Sequence, residues 1–396
     1  MDADLRAALR AVAQGGTREP RRILMTTDAV GGAWQFTLDL CRGLAARGDR
    51  IALASMGAPL GSLQRREAEA IAGLHLHESA FALEWMDAPW HDIDAAGDWL
   101  LGIAAEFEPS VVHLNQFAFG HLPWPAPVLV TGHSCVLSWW RAVHGTDAPP
   151  EWREYQHRVQ RGLRAAGLVV APTRAMLSAL ELHYGPLSAA RVIAHGRTLE
   201  SSPGPKEEPL VLAAGRLWDA GRNLAELAAV ARSLPWLVCI AGDDSHPGGG
   251  RTELPNVRLL GRLGDAELAT WYARAPIYAL PARYEPFGVP ALEAALAGCA
   301  LVLGDIPSLR EVWGDAAVYV ASGDRDGLRA ALQGLIDDAD LRERMAVRAH
   351  VRARRYTPDA MVRAYRRAYA DLDIATAPLR HGQAQTARWL LAGARR

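Results

Sequence analysis

Two glutamates eight residues apart, Glu285 and Glu293, lie in the segment from Tyr278 to Gly298. It reads Tyr-Ala-Leu-Pro-Ala-Arg-Tyr-Glu-Pro-Phe-Gly-Val-Pro-Ala-Leu-Glu-Ala-Ala-Leu-Ala-Gly. Its pattern is a strand, a loop and a helix of about two turns. Pro290 suits the first helical turn, where its missing N–H costs nothing, and Gly298 suits a left-handed stop. The helix N-terminus gathers unpaired N–H groups at the C-terminal edge of a parallel strand, where a diphosphate is favoured. The two carboxylates can each accept hydrogen bonds from a diol, one on a sugar and one on a ribose. The bland alternative is a solvated helix residue and a charge near a helix start; the preceding strand and the Pro-Phe-Gly turn favour a ligand site.

A second group opens the same half of the chain. Leu-Val-Leu-Ala-Ala-Gly-Arg-Leu-Trp-Asp-Ala-Gly-Arg, ending at Arg222, finishes a strand on Gly215 and sets Arg216 and Arg222 in the following turn. A guanidinium grips phosphate oxygens bidentately, each charge-assisted bond contributing about 1.5–3 kcal/mol. In the first half, Gly31 and Gly32 follow a strand and open a helix, so the backbone can approach a ligand there. Their spacing is not the dinucleotide G-x-G-x-x-G pattern, which argues against hydride chemistry. His133 follows another strand, at the same edge of its sheet; His113 and His195 are lesser candidates of the same kind.

Residues so placed need a particular scaffold. Short apolar runs alternate with longer amphipathic stretches, the pattern of βα units around parallel sheets. The expected strands are residues 23–26, 51–54, 111–114, 128–131 and 168–171, then 210–213, 237–241, 257–260, 277–280, 300–303 and 317–320. The reading is α/β, with two Rossmann-like doubly wound domains facing a cleft. The first spans residues 1–199, a proline-broken polar linker 200–209, and the second 210–375. A short helix within residues 1–20 precedes this, and residues 376–396 form a tail that could pack back on the first domain. A chain of 396 residues supports two cores of this size.

Composition narrows the function. With 43 basic and 44 acidic side chains, the chain has no bulk charge for nucleic acid or an anionic membrane. The N-terminus lacks the pattern of a signal peptide, no apolar run reaches membrane-helix length, and the four separated cysteines read as buried thiols, so a cytoplasmic protein is expected. No metal ligand set stands beside the anion turns. Asp92 with Asp94 and Asp324 with Asp326 read as surface or capping residues. Trp34, Trp85, Trp90, Trp124, Trp139 and Trp140 enrich the first half in indoles that can pack on sugar rings, although core positions account for most of them.

This set resembles family-four glycosyltransferases, retaining enzymes of the GT-B fold, over roughly residues 22–375. The resemblance rests on Gly31-Gly32, His133, Gly215-Arg216 with Arg222 after it, Glu285-Pro286-Phe287-Gly288 with Glu293, and the Arg-Tyr-Thr-Pro-Asp stretch within residues 354–359. It implies that Gly31 and Gly32 approach the donor phosphates, Arg216 and Arg222 hold the diphosphate, and Glu293 holds the ribose. Pro286, Phe287, Gly288 and Val289 would line the sugar and phosphate, with Glu285 and His133 at the reacting centre. The family usually has lysine at the position of Arg222, Asn-Gly where this chain has His195-Gly196, and a different turn in place of Gly242-Asp243-Asp244-Ser245-His246.

The implied reaction moves a sugar from a nucleoside diphosphate, UDP or GDP, to a small-molecule, glycan or lipid-linked acceptor, with retention at the anomeric carbon. It passes through an oxocarbenium-like transition state in which the leaving diphosphate gains charge, so donors placed there act on the transition state most. The arginines and the helix N-terminus would replace a metal, and no separate cofactor is implied. Other readings are an inverting transferase or a 2-epimerase of the same fold, or a non-catalytic nucleotide-sugar-binding protein.

Overall fold

The structure is a computed structural model that describes residues 20–376 apart from Gly31, residues 200–205, Glu207, Pro247 and Gly248. The helix expected within residues 1–20, the tail from residue 377, Gly31 and most of the linker lie outside the described residues.

The first half runs β1 (Arg22–Asp28), α1 (Ala33–Ala45), β2 (Arg50–Met56), α2 (Ser62–Glu69), β3 (Leu74–Glu78), α3 (Trp90–Phe107), β4 (Val111–Leu114) and β5 (Val128–Thr131). It continues with α4 (Val136–His144), α5 (Arg153–Ala165), β6 (Leu168–Ala171), α6 (Arg174–Tyr184) and β7 (Ala190–Val192). All pairings are parallel, in the order β3-β2-β1-β4-β5-β6-β7. Both faces are covered, which is why the central strands read as continuous apolar runs. Leu24, Val112 and Val130 enter one core while Ile23, Met25, Val111 and Leu129 enter the other.

The second half runs β8 (Leu210–Ala214), α7 (Leu224–Ala231), β9 (Leu237–Ala241), β10 (Arg258–Gly261), α8 (Asp265–Arg274), β11 (Ile277–Leu280) and α9 (Val289–Leu296). Then come β12 (Ala300–Gly304), α10 (Pro307–Trp313), β13 (Val318–Val320), α11 (Arg325–Asp337), α12 (Ala339–Ala353) and α13 (Pro358–Thr376). This sheet is also parallel, ordered β10-β9-β8-β11-β12-β13. In each sheet the chain reverses direction of growth beside its first strand, between β1 and β4 and between β8 and β11. Ligands of open α/β sheets bind at such switch points.

Two strands, β3 and β7, were not anticipated. Both are sheet edges, short or rich in polar residues, and largely outside the core. The last helix also departs from the division at residue 375. Met361, Val362, Tyr365, Tyr369 and Leu372 of α13 join the core of Ile23, Met25 and Leu129, so this helix packs on the first domain. The chain thus crosses between domains twice, and the crossings touch where Arg197 N–H donates to Tyr356 O (3.0 Å).

Candidate active site

The turn after β8 holds Arg216 and Arg222, and one carboxylate organises both. Asp219 Oδ2 lies 3.1 Å from Arg216 Nη2 and 3.6 Å from Arg222 Nε. Its Oδ1 accepts from Gly221 N–H and from the Trp139 indole of α4, each at 2.9 Å. Burial raises the Asp219 pKa, but Arg222 and Arg216 outweigh it and hold the group below the usual carboxylate range. Arg216 also lies over the Trp218 ring, 4.8 Å from its centroid.

Arg222 reaches further, into an ion pair with Glu285. Burial pulls this guanidinium below the ordinary arginine range, while Asp219 works in the opposite sense. Glu285 is only 6% exposed, so breaking the pair would strand a buried charge. Its Oε1 accepts from Phe287 N–H (3.2 Å), and its carbonyl from Ser308 Oγ (2.6 Å), which fixes the loop between β11 and α9. Gly288 ends that loop at φ 90°, a left-handed conformation that glycine adopts without strain, and α9 begins at Val289 with Pro290 in its first turn.

Glu293, 7% exposed on α9, already has a partner. Its Oε1 meets Arg197 Nε at 2.6 Å, and the same guanidinium reaches Asp39 of α1 (2.8 Å) and Asp265 of α8 (2.6 Å). Burial opposes the Arg197 charge, but Glu293, Asp39 and Asp265 together raise its pKa well above the arginine range. Burial raises the Glu293 pKa in spite of Arg197.

His133 stands at the head of α4 in a chain of hydrogen bonds. Asn115 Nδ2 donates to Thr26 O (2.6 Å), so its Oδ1 accepts from His133 Nε2 (2.8 Å). His133 Nδ1 is then left to accept from His195 Nε2 (3.2 Å). Burial lowers His133 to about 4 and keeps it neutral at pH 7. Phe36 packs edge-on against His133 at 4.5 Å, and His195 lies 4.9 Å from the Phe287 ring. The structure therefore joins His195 to His133 within the first domain, with the Phe287 ring of the second domain against His195. His113 is different: fully buried, it bonds Tyr369 and Thr131 and belongs to the core.

Gly32 is exposed at the start of α1 with open space beside its Cα, while Gly31 lies outside the described residues. Pro286 O accepts from Thr173 Oγ1 of the first domain (3.0 Å), and Phe287 is buried among aromatic rings. Val289 starts α9. Asp94 pairs with Arg158 and Asp324 caps α11. Trp34 is buried, and Trp85, Trp90 and Trp124 pack against the first core. Trp139 instead faces the second domain. Among the described residues no group of three or more His, Cys, Asp or Glu could hold a metal ion, and no helix is long and apolar enough to cross a membrane.

Sequence reasoning missed Asp219, Arg197, Asn115 and Tyr284. The last accepts from Cys135 N–H (3.0 Å) and bonds Ser138 Oγ (2.9 Å), tying α4 to the second domain. Asp219 could have been suspected from its place three residues before Arg222. Arg197 follows the His195-Gly196 departure, which was itself a signal.

Comparisons with known proteins agree with this architecture. Residues 30–201 match the profile described as Glycosyltransferase Family 4, and residues 208–338 match that of Glycosyl transferases group 1. The chain belongs to glycosyltransferase family four. The glycogen synthase of Mycobacterium tuberculosis (strain ATCC 25618 / H37Rv) is 28% identical over 367 residues, covering 82% of this chain and 86% of that protein. The sucrose-phosphate synthase of Thermosynechococcus elongatus superposes with a TM-score of 0.74 at 16% identity, covering 90% of this chain and all of that one. HepE of Anabaena, solved with UDP-glucose, gives a TM-score of 0.70 at 16% identity over 89% of this chain and all of its own. The fold is GT-B, and this family-four chain is a glycosyltransferase.

Proposed function

We propose that this glycosyltransferase draws its sugar from a nucleoside diphosphate bound in the cleft and transfers it with retention. The observation that carries the reading is the pairing of Arg216 and Arg222 with Asp219 and Glu285 at the switch point of the second sheet. Both guanidinium groups already face oxygen anions, Arg222 largely buried and Arg216 34% exposed, so a diphosphate exchanges one set of anionic partners for another. The α9 N-terminus, entered through Gly288 and Val289, adds backbone donors. Together these groups meet the charge of the leaving diphosphate without a metal.

Glu285 faces the sugar hydroxyls with the Pro286 and Phe287 backbone around them, Glu293 shares its carboxylate between Arg197 and the ribose, and Gly32 gives room on the first domain's side. His133 borders the reacting carbon as a neutral imidazole. UDP is the favoured nucleotide, because a neighbour of the same fold was solved with UDP-glucose; GDP is the competitor. The acceptor is a small molecule, a glycan or a lipid-linked glycan, met at the first domain, and the protein works in the cytoplasm.

A thermal-shift screen of UDP, GDP and ADP tests the donor side, since a ligand at 100 times its Kd stabilises by about 2.7 kcal/mol. No shift with any of the three would remove the nucleotide reading. NMR of the product from an α-linked donor tests retention, a β product marking an inverting enzyme.

A further inference from the structure

We propose that Trp139 is a positioning residue that transmits domain closure to the phosphate-holding arginines, acting through Asp219. The inference rests on the donor site described above.

Trp139 belongs to α4 of the first domain, and its indole N–H donates to Asp219 Oδ1 of the second at 2.9 Å. That oxygen also takes the Gly221 N–H, which leaves Oδ2 for Arg216 and Arg222. The indole therefore helps set the rotation of the carboxylate that holds both guanidinium groups. The fit is close. A Cβ on Gly221 would lie 2.9 Å from Trp139 Nε1 and 3.0 Å from Asp219 Oδ1, so the turn admits the indole because residue 221 has no side chain. The Gly221 carbonyl in turn accepts from Arg283 and Tyr284 N–H, at 2.9 and 3.1 Å. Tyr284 then bonds the first turn of α4 through Cys135 N–H and Ser138 Oγ. A loop of contacts thus runs from α4 to the arginine turn, to the loop that carries Glu285, and back to α4.

All of these cross-domain bonds require α4 to be seated on the second domain. Arg216, Arg222 and Glu285 lie wholly within the second domain, so a donor can meet them before the domains close. Closure then adds the indole, which fixes Asp219 and stiffens the arginines when the leaving phosphate needs them most. His133 heads the same helix, so one movement aligns the phosphate turn and the histidine.

The test uses the full chain and whichever of UDP-glucose, GDP-mannose and ADP-glucose the wild type cleaves fastest, followed by nucleoside diphosphate release. Trp139→Phe keeps the ring and removes the donor. Its kcat should fall by about tenfold while the affinity for the free nucleoside diphosphate stays within about twofold. Trp139→His, which keeps a ring N–H, should recover part of that loss and provides the comparison if the phenylalanine variant does not fold. In an Asp219→Ala background Trp139→Phe should add nothing further, whereas a merely structural tryptophan would cost the same in both backgrounds. An unchanged kcat in Trp139→Phe, or a parallel loss of nucleotide affinity, overturns the inference. Arg216→Ala separates the two levels. If it leaves nucleoside diphosphate affinity intact, or if the wild type cleaves none of the three donors, the donor-site reading fails. If it weakens binding while Trp139→Phe is silent, only the positioning role fails.

Discussion

The two ends of the candidate site are built on different charge ratios. At the proposed phosphate end two arginines, Arg216 and Arg222, face two carboxylates, Asp219 and Glu285. At the proposed ribose end one arginine, Arg197, faces three, Glu293, Asp39 and Asp265. The first cluster is neutral and lies in one domain, so an incoming dianion adds negative charge to a region rich in donors. The second is net negative and spans both domains, so it favours uncharged hydroxyls that can donate. The pKa shifts follow the same division: Asp219 is lowered because cations outweigh its burial, and Glu293 is raised because burial outweighs its one cation.

The largest expected effect comes from removing a buried partner at the phosphate end. Arg222→Ala leaves Glu285 buried and unpaired and should cost about 3–5 kcal/mol of stability in urea unfolding, with loss of turnover. A loss below about 1 kcal/mol would mean that Glu285 finds water or another donor, and the neutral-cluster description would fall.

His133, hydrogen-bonded to Asn115 and His195, belongs to neither cluster. Replacing it with alanine should lower turnover by about 10²-fold with nucleoside diphosphate affinity nearly unchanged, as for loss of one preorganised group at a reacting centre. A near-normal rate in a folded variant would reduce His133 to a brace between Asn115 and His195.

A crossed pair of substitutions then separates the ends. Arg216→Ala should weaken inorganic pyrophosphate and UDP by about 10-fold or more while sparing uridine. Glu293→Ala should weaken uridine and UDP by about 10-fold while sparing pyrophosphate. Calorimetric titrations giving equal losses for both ligands in either variant would erase the distinction.

The smallest effect concerns charge alone. Asp219 has a lowered folded pKa, so its carboxylate contributes stability above the unfolded value near 3.8 that is lost as the pH falls through the folded value. Glu293 has a raised one, so its stabilising form is the protonated one, present below about 4.5 and lost as the pH rises. Asp219→Asn should therefore cost about 1–2 kcal/mol at pH 7 and Glu293→Gln less than about 1 kcal/mol, read from urea midpoints. The reverse order would show that cations do not outweigh burial at Asp219, or that Arg197 outweighs it at Glu293.

This contrast also decides what could be read in advance. That Arg216, Arg222 and Glu285 come together was legible because they lie within two strand-end turns, and a turn after a buried strand is marked by its apolar run and its glycine. Most of the eleven expected strands were found for the same reason, since buried parallel strands are unbroken apolar runs; β10, a largely exposed edge strand, is the exception. The edge strands β3 and β7 carry no such run, Leu74-His75-Leu76-His77-Glu78 being largely outside the core. The ribose end was half legible. Glu293 was visible on its helix, but Arg197 sits in a segment without periodicity and draws its partners from α1, α8 and α9. Asn115 and Trp139 were hidden likewise: Asn115 takes its partners Thr26, Thr37 and His133 from three separate stretches of the first domain, and Trp139 takes Asp219 from the second domain. The place of α13 was missed because an amphipathic helix shows that it has a buried face and not which core receives it.

That last helix has a consequence for how the molecule is made. The second domain is a continuous stretch of chain from β8 to α12, able to complete its core as soon as it has been synthesised. The first is not. His113, at the centre of its sheet, bonds Tyr369, and Tyr365 and Leu372 fill the face formed by Ile23, Leu129 and Leu168. Seven strands must therefore wait for a helix more than 150 residues downstream. A ribosome makes α13 only after the whole second domain, so the half that leads the chain is the last to have its core closed.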